Sequence, residues 1–332
     1  MNATLTPDQR RRRRRHLTGA LTIVVGLLVL AVAAAIIWSW RAELPDPVAS
    51  HWGVADQPDG FSSLNEVLAV LLGLGGVLVL FLGGLTWALG QSAMARRFGA
   101  GITVWLSLFL STVVVGSLAI QRGLSDAREA GGVGGVLVVA LLASTGLAVL
   151  AATVVPGDPR QPTTEPVPAD APRVKLVAGE RAVWIGRIHS RVMLYLLVPI
   201  LLVGLGLSVW TRLWPLLLVD AVVVAALASL TTLVVRVDRT GLTVRSAIGW
   251  PRYRVPLDEV VQARVTEVSP LRDFGGWGWR VGRDGQIGVV LRQGEALLVE
   301  RTGERSVVVT VDEPVKAAGL LNALADRSRS RG

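Results

Sequence analysis

Six long apolar stretches decide what this chain can fold into. They lie between Arg15 and Arg41, Glu66 and Arg96, Arg97 and Arg122, Glu129 and Asp158, Arg191 and Arg212, and Arg212 and Arg236. Each is about 20 to 29 residues long, and roughly 20 apolar residues in a helix cross a hydrocarbon core of about 30 Å. Five hold no Asp, Glu, Lys or Arg; the sixth holds Asp220 alone. The expected fold is an α-helical integral membrane bundle of six spans, followed by a region of different periodicity. Several tryptophans, among them Trp38, Trp40, Trp210 and Trp214, sit at the ends of the runs, where an indole settles at the headgroup boundary.

The arginines set the expected orientation. Arg10 to Arg15 form an unbroken basic block before the first run, of the kind retained on the cytoplasmic side. The apolar run after it is too long for a signal peptide and ends in Trp-Ser-Trp-Arg, so it reads as an uncleaved anchor. Residues 41–64 and 122–129 are then external. Residues 1–16, the Arg96–Arg97 turn and 156–191 are internal, with both termini cytoplasmic in the cell membrane. Arg212 is the one exception, in a short outer turn with Pro215. The formal net charge of +9 is explained by this asymmetry and calls for no nucleic acid.

Composition divides the chain further. Residues 17–155 read as a four-span domain carrying the outer loop 41–64. Residues 156–173 are a Pro-rich cytoplasmic linker, because regular helix is barred there. Residues 174–235 are an interfacial segment, with Trp184 and Ile185 touching lipid, and a two-span hairpin. From 236 to 327 β-branched runs alternate with turns: Leu233–Asp238, Leu242–Ser246, Val260–Val268, Trp277–Gly282, Gln286–Arg292, Ala296–Arg301 and Ser306–Val311. Arg239-Thr-Gly, Arg283-Asp-Gly, Gln293-Gly-Glu and Thr302-Gly-Glu are hairpin turns in which Gly supplies positive φ. A helix over Glu313–Arg327 follows, capped by Asp312 and burying Leu320, Leu321 and Leu324, before a 328–332 tail. The expectation is an antiparallel β domain capped by one helix.

Two segments resemble known families. Leu44–Ser63 reads LPDPVASHWGVADQPDGFSS, with Leu44, Pro45, His51, Trp52, Pro58, Asp59 and Gly60 in motif positions. It resembles the signature of a membrane-protein domain of unknown function, also found in the immunity protein of the sporulation-delaying system. Residues 180–327 resemble bacterial pleckstrin-homology-like (PH-like) domains preceded by a transmembrane hairpin. The matching segments are Val237-Asp-Arg-Thr-Gly-Leu-Thr-Val-Arg, Gly249-Trp-Pro and Pro256-Leu-Asp-Glu-Val, with Ser269-Pro-Leu-Arg-Asp-Phe-Gly-Gly-Trp-Gly-Trp-Arg and Gly294-Glu-Ala-Leu resembling an actinobacterial-type subgroup. Such domains are non-catalytic scaffolds, so the resemblance implies a binding or assembly role.

The chemistry-bearing residues have sharp and bland readings. His51, with Asp46, Asp56 and Asp59 nearby, is a metal ligand or pH sensor on the first, and a structural hydrogen bond in a compact loop on the second. Asp220 is a proton or cation site, or a polar contact near the outer boundary. Gly275, Gly276, Trp277, Trp279 and Arg280 superficially resemble a phosphate loop. They lack its Gly-Lys-Ser/Thr ending and helix, which leaves a bulge or close packing. Arg252, Arg254, Arg272, Arg280 and Arg283 either face anionic headgroups or decorate solvated strands. With no Cys and only His16, His51 and His189, no catalytic constellation, resident metal or cofactor is expected. The chain reads as a non-enzymatic membrane protein with an interaction module. Its partner is the bilayer, with a membrane or cytoplasmic protein or a second copy beside it. A transporter or channel component using Asp220 and the His-Trp loop is the alternative.

The orientation is directly testable, because a single engineered Cys would be the sole thiol. With Cys at Ser50, Ser92, Ser125, Thr163 or Ser306, an impermeant maleimide added to intact cells should label only the first and third. Labelling at position 306 would invert the topology.

Overall fold

The computed structural model describes residues 6–53, 55–177, 179–211, 216–249, 251–282 and 285–330, in two compact units. Arg212, Trp214, Pro215 and Arg283, named above, lie outside the described residues.

The first unit, residues 10–158 with 202–221, is helical. Its helices are α1 (Pro7–Ser39), α2 (Leu64–Leu89), α3 (Ala93–Ala119) and α4 (Gly134–Val154). These four are the described helices long and apolar enough to cross a membrane. Two of the starts are fixed by a serine cap. Ser63 Oγ accepts from the Glu66 amide (3.3 Å) while Glu66 Oε2 accepts from the Ser63 amide (2.8 Å), a reciprocal cap that opens α2. Ser92 Oγ accepts from the Ala95 amide at 3.1 Å and opens α3.

Small residues set the spacing of α1 against α2. A Cβ on Gly26 would lie 2.7 Å from Val79 Cγ1, and one on Gly83 only 2.3 Å from Ile23 Cγ1. In lipid, where burial between helices brings little hydrophobic gain, such close approach is what makes association favourable. Leu30, Ala33, Ile37, Leu71, Val79 and Leu118 form the shared core, joined by Val48 from the loop after α1.

Six spans were expected from the apolar runs. The fifth and sixth yield α5 (Arg191–Thr211) and α6 (Leu216–Thr231), whose described apolar stretches, Tyr195–Trp210 and Leu216–Ser229, are shorter than those of the other four, so four spans and not six are supported. At 16 residues α6 spans about 24 Å. The rest of its run, Thr232–Val235, is drawn into a strand, because β-branched residues there pair better than they coil.

The second unit takes in residues 159–201 and 222–330, together with the described residues before Arg10. One sheet is antiparallel in the order β3 (Trp184–His189), β4 (Thr232–Asp238), β5 (Gly241–Ser246), β6 (Arg252–Val255). The expected interfacial segment is therefore a strand: Trp184 pairs with Val237 and His189 with Thr232 across the whole α5–α6 insertion. The other sheet contains β7 (Val260–Val268), β8 (Gly278–Val281), β9 (Ile287–Val290), β10 (Gly294–Arg301) and β11 (Arg305–Thr310), in the order β7-β10-β11-β9-β8. A purely antiparallel domain was expected, but β9 and β11 run parallel: β10 does not pair back on β9, crosses to the far edge of β11 and runs antiparallel to it, which leaves β9 and β11 pointing the same way.

The last helix, α8 (Pro314–Arg329), packs on β7 and β10 and reaches β3, β4 and β5 of the other sheet. Leu321 is fully buried beneath it, with Leu320 and Leu324 nearly so. Its expected cap fails: Glu313, in a left-handed conformation (φ 55°), occupies the cap position without a side-chain bond, while Asp312 pairs with Arg292 at 3.0 Å. A short helix absent from the sequence reading, α7 (Pro270–Phe274), lays Phe274 over the far face of the larger sheet with Val290, Leu298 and Val308.

The Pro-rich linker is ordered against this unit. Glu259, 2% exposed, accepts from the Gln161 amide (2.9 Å) and pairs with Arg301 and with Arg305 (3.4 Å). Arg160 pairs with Asp258 at 2.6 Å, and Thr302 Oγ1 donates to the Gln161 carbonyl at 2.5 Å. Burial pushes the Glu259 carboxyl up, yet the Arg301 hydrogen bond, the Gln161 amide and the two arginine charges outweigh it and hold the group below the usual range. Its contribution is thus full above the unfolded glutamate value of about 4.3 and is lost as pH falls through the lower folded value.

Glu259→Gln should destabilise the protein at neutral pH by about 3 kcal/mol, because Arg301 is left buried and uncompensated. It should also flatten the acid limb. Melting temperature against pH, followed by tryptophan fluorescence of the detergent-solubilised chain, reads both. Equal wild-type and variant curves between neutral pH and about pH 4 would refute the clasp.

Candidate functional site

The motif loop folds into a small hairpin, strands β1′ and β2′ of the helical unit. β1′ (Val48–Trp52) pairs antiparallel with β2′ (Pro58–Ser62). His51 stands opposite Gly60, and a Cβ on Gly60 would fall 2.8 Å from His51 Cβ, so glycine is needed there for the strands to close. His51 Nδ1 and Asp59 Oδ1 are 2.5 Å apart on the exposed face. Pro45 is buried, and Pro58 and Trp52 are half-buried.

Three side chains, Gln121, Trp52 and Asp56, tie the hairpin to the helical unit, and Arg122 holds the chain just before it. Gln121, fully buried just beyond α3, accepts from the Ala49 amide (2.7 Å) and donates to the Ala49 carbonyl (2.9 Å) and to that of Ser117 (2.8 Å). Trp52 Nε1 donates to the Gly131 carbonyl at 3.0 Å. Asp56 Oδ1 accepts from the Val133 amide (2.8 Å) and Oδ2 from Gly134 (3.3 Å), so a residue from another segment caps α4. Arg122 pairs with Glu43 at 2.7 Å and lies 4.7 Å over the Trp40 ring.

This arrangement separates the motif residues into roles. Asp56, read from sequence as an oxygen donor beside His51, is consumed as a helix cap. Among the described residues no three His, Asp or Glu gather to hold an ion. Gln121, Gly131 and Gly132 were not singled out from the sequence. The one available signal was a missing cap: Ala-Gly-Gly-Val-Gly before α4 offers no side chain for its N-terminus, and a Cβ on Gly132 would sit 2.0 Å from Asp56 Oδ2.

The other candidates lie apart from the hairpin motif. Asp220 on α6 faces α5: Ser208 Oγ donates to its Oδ2 at 3.5 Å, and a Cβ on Gly204 would be 2.0 Å from its Oδ1. In the β unit, Gly275 (φ 67°) ends α7, its N–H bonding back to the Leu271 carbonyl, while Gly276 N–H bonds to Pro270. That is a left-handed helix stop running into β8. Trp279 packs edge-on against Tyr253 with centroids 6.4 Å apart, and Arg280 Nε donates to the Trp277 carbonyl at 2.9 Å. Of the expected arginine face, Arg254 donates to the Thr240 carbonyl and Arg272 pairs with Asp273 at 3.0 Å.

Compared with family models, curated proteins and solved structures, the chain matches none.

Gln121→Leu should leave the buried Ala49 amide and carbonyl unpaired, at about 1–3 kcal/mol for each group. His51→Ala, at an exposed pair, should cost less than about 1 kcal/mol. Melting temperatures of the two purified variants rank them; a larger drop for His51→Ala would mean that the His51–Asp59 pair, and not the glutamine, holds the hairpin.

Proposed function

We propose that this chain is a non-enzymatic, multi-pass cell-membrane protein whose β unit is a PH-like interaction or assembly module. In this reading the α5–α6 hairpin adds two spans to the four, both termini are cytoplasmic, and the β1′–β2′ hairpin lies outside. The outer hairpin is the counterpart of the domain of unknown function it resembles, and an immunity-like or envelope-associated role follows by that analogy alone. The partner is a membrane or cytoplasmic protein, or a second copy.

The observation that carries the reading is how the polar groups are used. Glu259 is committed to Arg301 and Arg305, and Asn322 to the Ala263 backbone. Each histidine makes a local structural contact: His16 edge-on to Trp87, His51 to Asp59, His189 to Thr232. Groups spent on structure in this way favour a scaffold over a reaction centre.

A second reading, a transporter or channel component, draws on Asp220. Its carboxylate is wedged against Gly204 and within reach of Ser208, and an acid in an apolar helix is costly unless used. Gentle solubilisation of the full chain with affinity capture separates the two. A stoichiometric partner, or a stable homo-oligomer, is expected. Substrate-dependent flux in vesicles that is lost in Asp220→Asn, with no partner recovered, would overturn the module reading.

A further inference from the structure

The helical unit carries a half-open groove of about 360 Å³ along α2 and α3. Its walls are Val67, Val70, Leu71, Leu74, Leu78, Leu110 and Val114, and Gly75 lies on its floor. A side chain at position 75 would come within 3.2 Å of Leu30 and 3.8 Å of Leu110, so the glycine keeps the floor open. At one end the lining turns polar: Ser50 and Ser62 from the hairpin and Glu66 from the first turn of α2.

Three features define the occupant. From Glu66 to Leu78 the groove runs for about 18 Å, close to the roughly 15 Å that one leaflet of hydrocarbon occupies. Its apolar length therefore suits one acyl chain entering from the hairpin side. Among the described residues its mouth is lined by a carboxylate and by no cation, which favours an ammonium. Glu66 spends Oε2 on the Ser63 amide, and a carboxylate has acceptor capacity beyond one bond. Ser50 and Ser62 hydroxyls lie 2.8 Å apart, and as only one needs to donate to the other, the pair retains a donor for phosphate oxygen.

We propose that this groove is a binding site for an amine-headed phospholipid, phosphatidylethanolamine, with one acyl chain along α2 and the ammonium at Glu66. It is independent of whether the β unit is a PH-like module.

The test uses the full chain, stripped of lipid in detergent and titrated with phosphatidylethanolamine or phosphatidylglycerol. Melting temperature and native mass spectrometry are the readouts. Phosphatidylethanolamine should raise the melting temperature saturably, with half-saturation about tenfold below that of phosphatidylglycerol. Glu66→Gln keeps the reciprocal cap, since Gln serves there equally, and should bring the two lipids within about twofold. Leu74→Trp, at a position 58% exposed, should fill the groove and remove the lipid response while unfolding remains cooperative. Equal response of the wild type to both lipids, or an undiminished response in Leu74→Trp, overturns the proposal. So does disulfide crosslinking of Leu74→Cys between copies in native membranes, which would make the groove a subunit interface.

Discussion

A backbone N–H or C=O removed from water must find a partner, and this constraint organises both units. The spanning helices meet it internally. Where the chain leaves helix, carboxamide side chains meet it instead. Gln121 takes both backbone groups of Ala49, and Asn322 does the same for Ala263: its Oδ1 accepts from the Ala263 amide at 2.7 Å and its Nδ2 donates to the carbonyl at 2.8 Å. Both side chains are fully buried. An amide offers one acceptor and two donors, so each has a donor left, spent on Ser117 and Pro172 respectively. In each unit one residue thereby binds a strand to a helix, and Asn322 also holds the linker.

The same constraint explains how a Pro-rich linker can lie along the β unit without secondary structure. Proline brings no N–H to satisfy, and several of the amides around the prolines are paired with the β unit. Gln161 N–H goes to Glu259, Thr163 to the Asp258 carbonyl, Val167 to Asp326 and Val174 to the Gly319 carbonyl. Arg173 adds an ion pair to Asp326 at 2.9 Å. Composition bars regular helix here; it says nothing about a docked, extended path, because the partners lie some hundred residues on.

What could be read in advance follows from locality. Apolar runs, the seven β-branched stretches and the Gly241 and Gly303 turns (φ 110° and 68°) are signals carried within a few residues. Leu320, Leu321 and Leu324 face inward because helix periodicity places them there. Strand β3 was missed because its partner β4 lies beyond the α5–α6 insertion, and Trp-Ile-Gly-Arg-Ile-His has the look of an interfacial segment until that pairing is known. The parallel β9–β11 pair is non-local in the same way. Among site residues, His51 and Trp52 stand out by type, whereas Gln121 is an ordinary residue at a helix end whose role depends on Ala49, far off in sequence.

The hairpin also links two features that the sequence keeps apart. Through Asp56 it supplies the N-terminal cap of α4, and through Ser50 and Ser62 it supplies the hydroxyls at the mouth of the α2–α3 groove. Gln121 fixes Ala49, the neighbour of Ser50, to the end of α3, which also contributes Leu110 and Val114 to the groove wall. Loss of the Gln121 bonds would therefore act at three places together: the strand pairing, the α4 terminus and the groove mouth. The exposed His51–Asp59 pair stands outside that network of bonds.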